Sequence, residues 1–543
     1  MPVQWSRGEV RARCPVCFAE SAKGAVLTAE HVLPGYPRIT LLRCSICGAA
    51  FLEDLTPPDY GGETPQMLDY YVEQGAGIDL VVAPLLRVPP TSVRRCLEIG
   101  CSFPFALDFS RFAFGWSVLG VDPSPLAVRG SEALGLPVIH AYFDDDLDVG
   151  AEPIDLVLCS EMLEHVADPH SLLSSIRRRL SPEGLLVLST PNSEIIREGT
   201  EEGMLARALS PGFHLVLYDR SSLRQVLTAA GFSAIEIEES PETLRAFASC
   251  SSDRIQRLRP LDEAANRSLL RRYLDARKKE VPPASVVASG FAYRHFKECV
   301  NAGLYDEAVK SRAYLAHVYR ERHGIDLEVP HGWTAAQEIP FNLSCALFFC
   351  GILELNALVR PSLAAEYFSA GVEAALRLGG GSLTFSIHDG ETEMLLRQSR
   401  KHLPMALAAS DPDRALLELE RLETLDRVVF SAELLDESRA QTFVRLVNAG
   451  AFDAAERMTA TVVDLLERQP PEENVESAGS LDLLYCLAML ALLRGRAGEA
   501  AELFGRVARA AESSPSQKEM FRSALYHEQL SRGQLSREDA AKA

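Results

Sequence analysis

The chain has 543 residues, which at roughly 100–200 residues per domain suggests about three units. With 55 Lys and Arg against 75 Asp and Glu, the net charge is −20, a field that repels phosphates and argues against nucleic acid as a partner. Hydrophobic residues at 47% and charged residues at 24% exclude the low-hydrophobicity regime of disorder and leave room for a sizeable core.

The first residues, Met1-Pro2-Val3-Gln4-Trp5-Ser6-Arg7-Gly8, lack the basic-then-apolar order of a secretory signal. Of twelve cysteines, four form two tight pairs and the others are scattered through apolar segments, the pattern of a metal site plus core thiols in a reducing cytoplasm. Residues 1–60 hold Cys14-Pro15-Val16-Cys17, then 26 residues, then Cys44-Ser45-Ile46-Cys47-Gly48. Each Cys-x-x-Cys closes a tight turn whose thiolates share one ion, and two such turns complete a tetrahedral zinc site. A redox motif would instead be a single Cys-x-x-Cys opening a helix. The β-prone run Arg38–Arg43 leads into the second turn, as in a zinc ribbon. So small a unit needs its metal to fold, and a closed four-thiolate site has no open position for chemistry.

Residues 61–92 read as a connector with one helix, ended by Pro89-Pro90. From Val93 short apolar runs alternate with helix-length segments: 94–99, 117–121, 138–141, 154–159, 185–190 and 234–237. This alternation predicts right-handed crossovers and a largely parallel sheet over 93–250. Beyond residue 255 the β signal gives way to Ala-, Leu-, Glu- and Arg-rich helical periodicity to the end of the chain. The apolar stretch 345–359 carries Glu354 and Asn356 and is too short for a membrane span, so it reads as a buried helix. Five turn-then-helix phrases share an alanine (308, 365, 415, 455, 500), spaced 57, 50, 40 and 45 residues apart. They resemble the second halves of tetratricopeptide-type helix pairs, with a longer and irregular period; an irregular helical domain is the plainer alternative.

The concentrated functional signature lies in the middle. Cys96-Leu97-Glu98-Ile99-Gly100-Cys101 ends a strand where a doubly wound fold binds its nucleotide, and Leu119-Gly120-Val121-Asp122-Pro123-Ser124 ends the next with a carboxylate suited to ribose hydroxyls. Then come Ser160-Glu161-Met162-Leu163-Glu164-His165-Val166-Ala167-Asp168-Pro169 and Pro182-Glu183-Gly184, running to Ser189-Thr190-Pro191-Asn192. These phrases resemble the class I S-adenosylmethionine-dependent methyltransferases, in the branch of the ubiquinone-biosynthesis O-methyltransferases and sugar C-methyltransferases. The resemblance covers 93–237, and a four-cysteine module ahead of such a domain is similar to the sugar-methylating members. The fold expected is therefore multidomain: a small zinc ribbon, an α/β doubly wound (Rossmann-like) methyltransferase domain, and an all-α helical-repeat domain over 255–543.

The resemblance implies that Glu98 and Gly100 sit near the methionine part of the cofactor, with Ser102 in the same turn. Asp122 would hold the ribose, Phe143 and Asp144 would edge the adenine, and Ser160 and Glu161 would face the methyl group. In the family the turn is usually Gly-x-Gly-x-Gly; here it reads Gly100-Cys101-Ser102-Phe103-Pro104, where Pro104 removes an N–H. Residues 193–211 form a long connection with the length of a lid, ending in Gly212-Phe213-His214-Leu215. An acceptor must lose a proton, and an imidazole suits that task, so His214 is the first candidate base and His165 the second, with Glu161 beside them. The plainer readings are that His165 packs on the sheet edge and that His214 only orients the lid. The acceptor implied is a sugar, a glycan precursor or another small hydroxylated metabolite. The rival reading is a catalytically inactive methyltransferase-like scaffold whose helical repeats bind protein partners.

Overall fold

The computed structural model describes residues 3–20, 22–31, 36–58, 72–73, 78, 82–380, 390–425, 429–468, 478–512 and 517–542. They fall into two compact units. The first comprises Met1–Glu328, Trp333–Asn342 and Arg377–Gly390; the second comprises Val329–Gly332, Leu343–Leu376 and Glu391–Ala543.

The first unit contains two sheets. One is built from β1 (Val3–Trp5), β2 (Glu9–Arg11), β3 (Ala22–Ala29), β4 (Ile39–Arg43) and β5 (Ala50–Leu52), with β4 on the run the sequence marked as β-prone. It does not stop at residue 60. Its order is β1-β3-β4-β5-β11, with β2 paired to β3, and β11 (Val216–Leu217) arrives from far along the chain. The free edge of β5 would leave unpaired amides, and β11 covers it.

The other sheet runs β12-β13-β10-β9-β6-β7-β8. Its strands are β6 (Arg95–Ile99), β7 (Ser117–Val121), β8 (Val138–Ile139), β9 (Ile154–Ser160), β10 (Leu180–Pro191), β12 (Ala234–Glu239) and β13 (Thr243–Ser249). The expected parallel core is present: β6 pairs in parallel with β7 and β9, and β9 with β10. Continuous apolar runs such as Leu185–Leu188 are buried throughout, as a sheet covered on both faces requires. β13 was not among the expected strands. It enters through a hairpin and lies antiparallel to both β10 and β12, so the alternation of strands with helices could not announce it.

Helices α1 (Phe105–Phe114), α2 (Pro125–Leu134), α3 (Pro169–Arg179), α4 (Glu202–Leu209), α5 (Arg220–Ala229) and α6 (Ser252–Gln256) complete the α/β layers. The expected connector helix lies largely outside the described residues; Pro84–Arg87 and Pro90–Ser92 form short 3-10 turns. The compact unit also runs on past residue 255, taking in α7 (Glu263–Glu280), α8 (Ala288–Asn301) and α9 (Tyr305–His323). Apolar packing explains this. The Tyr273 ring meets Phe109 edge-on at 5.3 Å, and Phe291 meets Phe105 at 5.8 Å. Buried Asp108 on α1 accepts hydrogen bonds from Tyr273 Oη at 2.8 Å and from Arg277 Nε at 2.7 Å.

The second unit is helical. It holds α10 (Leu343–Asn356), α11 (Pro361–Gly380), α12 (Gly390–Leu407), α13 (Pro412–Glu423), α14 (Ala432–Asn448), α15 (Phe452–Arg457), α16 (Thr459–Arg468), α17 (Ala478–Leu493), α18 (Ala497–Ala511) and α19 (Lys518–Lys542). The apolar stretch read as a buried helix is α10, where buried Glu354 is held by Arg360 Nε at 2.6 Å. The five shared alanines all sit near the start of helices and are buried, as the close approach of a neighbouring helix demands. Among the described residues no helix is long and apolar enough to cross a membrane.

Candidate functional site

In the seven-stranded sheet the chain moves outward from β6 to β7 and β8 on one side and from β9 to β10 on the other. The carboxyl ends of β6 and β9 are therefore the switch point at which an open α/β sheet binds its ligand. β6 delivers Glu98 and Gly100 there. Gly100 has φ +73°, and a Cβ on it would stand 2.7 Å from Met162 Cγ, so only glycine fits. Ser102 takes a left-handed φ of +43°, a backbone region that glycine adopts without strain.

Asp122 ends β7 and pins this turn. One carboxylate oxygen accepts the Ser102 N–H and the other accepts the Ser124 N–H, each at 2.7 Å. Each oxygen keeps a second lone pair for a hydroxyl. Glu98 is buried, its Oε2 has no hydrogen-bond partner, and burial together with nearby Asp122 pushes its carboxyl well above the usual range. Ser124 Oγ and Ser160 Oγ are likewise buried without partners. Three orphaned polar atoms toward the carboxyl ends of β6, β7 and β9 are what a site built for a polar ligand presents, and the residues present fit an adenosyl cofactor. Phe103 does not enter this space: it is buried in an apolar cluster beside Phe105, 4.8 Å away. Pro104 caps α1, where its missing N–H costs nothing.

The expected adenine edge is Phe143 with Asp144. Phe143 is half-buried under Arg179, whose guanidinium lies 4.8 Å from the ring centroid. Asp144 is exposed, and its Oδ1 accepts from Asp146 N and Leu147 N, closing its own turn.

Beyond β9 the backbone brings a second group together. Leu215 N–H donates to Glu164 O at 2.7 Å, which sets the segment after α4 against the one after β9. The His165 and His214 rings meet edge-on at 4.8 Å. His165 Nδ1 lies 3.0 Å from Phe213 O, and His214 Nδ1 lies 2.7 Å from Ala208 O, so in both rings Nδ1 holds the proton and Nε2 is the basic nitrogen. Burial lowers His165 to about 3, helped by His214, and lowers His214 to about 4. Both rings are neutral at pH 7.

Glu164 is fully buried. Its Oε2 accepts from Thr190 Oγ1 at 3.0 Å, and its Oε1, without a hydrogen-bond partner, lies 4.0 Å from His214 Nε2. Glu164, His165 and His214 each offer one ligand atom within 4.8 Å of the others, a set that can also hold a divalent cation. Glu161, with φ +49°, borders this group: burial, and then the charge of Glu161, push the Glu164 carboxyl well above its usual range. Thr190 and Tyr218, whose buried hydroxyl has no partner, belong to this region without having been singled out for it. They come from the ends of β10 and β11, and nothing local in the sequence links them to Glu164.

The four cysteines form one cluster. Cys14 and Cys47 Sγ are 3.6 Å apart, as are Cys17 and Cys44. The edge of a tetrahedron with Zn–S bonds of about 2.3 Å is about 3.8 Å, so the donor set fits zinc. The bond from Cys47 holds the Cys14 thiol down to about 5.

Residues 73–237 match the family model described as a methyltransferase domain. This segment is a class I S-adenosylmethionine-dependent methyltransferase domain. The chain is 37% identical over 135 residues to the ubiquinone biosynthesis O-methyltransferase of Cereibacter sphaeroides, covering 24% of this chain and 53% of that protein. It is 32% identical over 109 residues to that of Actinobacillus pleuropneumoniae serotype 7, covering 18% and 46%. The chain thus spans about half the length of the curated relatives it matches. Among solved structures, an O-methyltransferase family protein from Burkholderia thailandensis aligns at 14% identity and TM-score 0.30, covering 36% of this chain and 65% of that one.

Proposed function

We propose that the chain transfers a methyl group from S-adenosylmethionine to a hydroxyl of a small acceptor: a sugar, a glycan precursor or another small hydroxylated metabolite. The observation that carries this is the pairing of two halves at one sheet edge. The turn pinned by Asp122, with the orphaned Glu98 Oε2, suits the cofactor; the buried, neutral His214 beside Glu164 suits an acceptor. The relatives named as O-methyltransferases favour oxygen as the acceptor atom.

When bound, the cofactor supplies an electrophilic methyl on a sulfonium. This chain's residues do the rest. Asp122 orients the ribose while holding the Ser102 turn. His214 Nε2 takes the acceptor proton, its ring fixed by the Ala208 carbonyl. Glu164 holds a further acceptor hydroxyl, and the buried Leu215 and Tyr218 exclude water. Positioning and exclusion of water can supply much of the acceleration of such a displacement. The cysteine cluster would hold one structural zinc ion, and the helical-repeat region would recruit the acceptor or a protein partner.

The test is methyl transfer from S-adenosylmethionine to a panel of hydroxylated acceptors. Wild type is expected to turn over, and His214→Ala to lose turnover while binding S-adenosylhomocysteine with nearly unchanged affinity. Unchanged turnover in His214→Ala would remove the base from its role.

A further inference from the structure

The ribbon meets the methyltransferase domain at five places, four of them on the segment that carries His214 and three next to a cysteine. Arg43, immediately before Cys44, reaches across the interface: Nη1 donates to Gly48 O at 3.2 Å, and Nη2 donates to Ser193 O at 3.1 Å and Ile196 O at 3.4 Å. Gly48, immediately after Cys47, has φ +85°, and a Cβ there would overlap the carboxylate of Asp219, the residue that caps α5. In the first knuckle, Val16 O accepts from His170 Nε2 at 2.8 Å on α3. The fourth join is the sheet itself. Val216 and Leu217 pair with Phe51 and Ala50, and Leu52 N–H donates to Leu215 O at 2.9 Å. The strand so anchored begins two residues after His214. Gly212, with φ +94°, leaves no room for a side chain beside the His31 ring of the ribbon.

We infer that the ribbon is a wall of the acceptor half of the site and that Arg43 is a positioning residue, holding the 193–219 segment, and with it His214, in register with Glu164. This rests on the methyltransferase reading for its consequence in turnover, but not for its structural content. The joins depend on knuckle backbone whose shape the four thiolates and their ion fix. They lie on the β11 side; the cofactor half, Gly100 to Asp122, is held by bonds of its own. A guanidinium is required because one planar fork serves carbonyls on both sides, which a lysine ammonium cannot span. The charges facing Arg43 are Asp219 and Glu194, both on the held segment.

The experiment is hydrogen exchange of the full chain, read by mass spectrometry over 193–219. It compares untreated protein, protein stripped with a chelator, and Arg43→Met, with Arg43→Lys as the conservative variant, alongside calorimetric binding of S-adenosylhomocysteine. The expected result is exchange at 215–217 accelerated by about tenfold or more in the stripped protein and in Arg43→Met, with no rescue by Arg43→Lys. Cofactor-product affinity should stay within about twofold, since the two halves share no partner. Unchanged exchange in Arg43→Met, or acceleration spread equally over 95–125, would overturn the inference. Absence of S-adenosylhomocysteine binding in every sample would instead strike the methyltransferase reading, leaving the exchange result to judge the ribbon.

Discussion

Ser102 and Glu161 hold left-handed backbones, φ +43° and +49°, at the ends of the two strands that flank the switch point. Such conformations cost L residues about 1–2 kcal/mol and persist where the surroundings over-determine them, which is most often at a functional site. Replacing Ser102 with glycine should therefore stabilise the protein by up to about 1 kcal/mol in urea denaturation and leave S-adenosylhomocysteine binding intact. A loss of stability would mean that the serine side chain supports the turn. His214 gives a second prediction at this scale. A base must be unprotonated, and burial lowers this ring to about 4. Turnover should then stay level as pH falls through 6.5 and decline only as it approaches 4, in contrast with the midpoint near 6.5 of an exposed imidazole. A kcat/KM profile with its acid limb at 6.5 would contradict the buried, neutral histidine.

Elements that announce themselves locally were legible. The phrase ending at Gly100 and the one ending at Asp122 each close an apolar run, so β6 and β7 and the turn between them followed from the residues alone. What escaped depends on contacts between distant segments. Val216 pairs with Phe51, Thr190 bonds Glu164, and β13 pairs with β10; no short window of sequence contains both partners. The same holds for α7, whose pattern marks a helix but not what it packs on. Asp108 is fully buried on α1, the helix that opens after the cofactor turn, and Arg277 of α7 contacts both of its carboxylate oxygens. Arg277→Leu would remove the nearer of the two guanidiniums on that buried carboxylate, so the first unit should lose roughly 3 kcal/mol. An unchanged unfolding midpoint would show that Tyr273 and Arg111 alone satisfy Asp108.

At the scale of the whole chain, an excess of acid goes with a division into two compact units. The cysteine arithmetic was legible because metal chemistry forces thiolates into close spacing; the ribbon's dependence on β11 was not. Metal analysis of protein purified without chelator should return one zinc per chain bound by Cys14, Cys17, Cys44 and Cys47, and the Cys47→Ser change should lower that content; zinc unchanged by Cys47→Ser would place the ion elsewhere.

We propose that the strand-end turn held by Asp122 receives an adenosyl cofactor. Calorimetric titration of the full chain with S-adenosylhomocysteine tests it most directly. One molecule should bind per chain, and Asp122→Ala should weaken binding at least tenfold, about 1.4 kcal/mol. A flat titration of the wild-type protein, or equal affinity in Asp122→Ala, would contradict it.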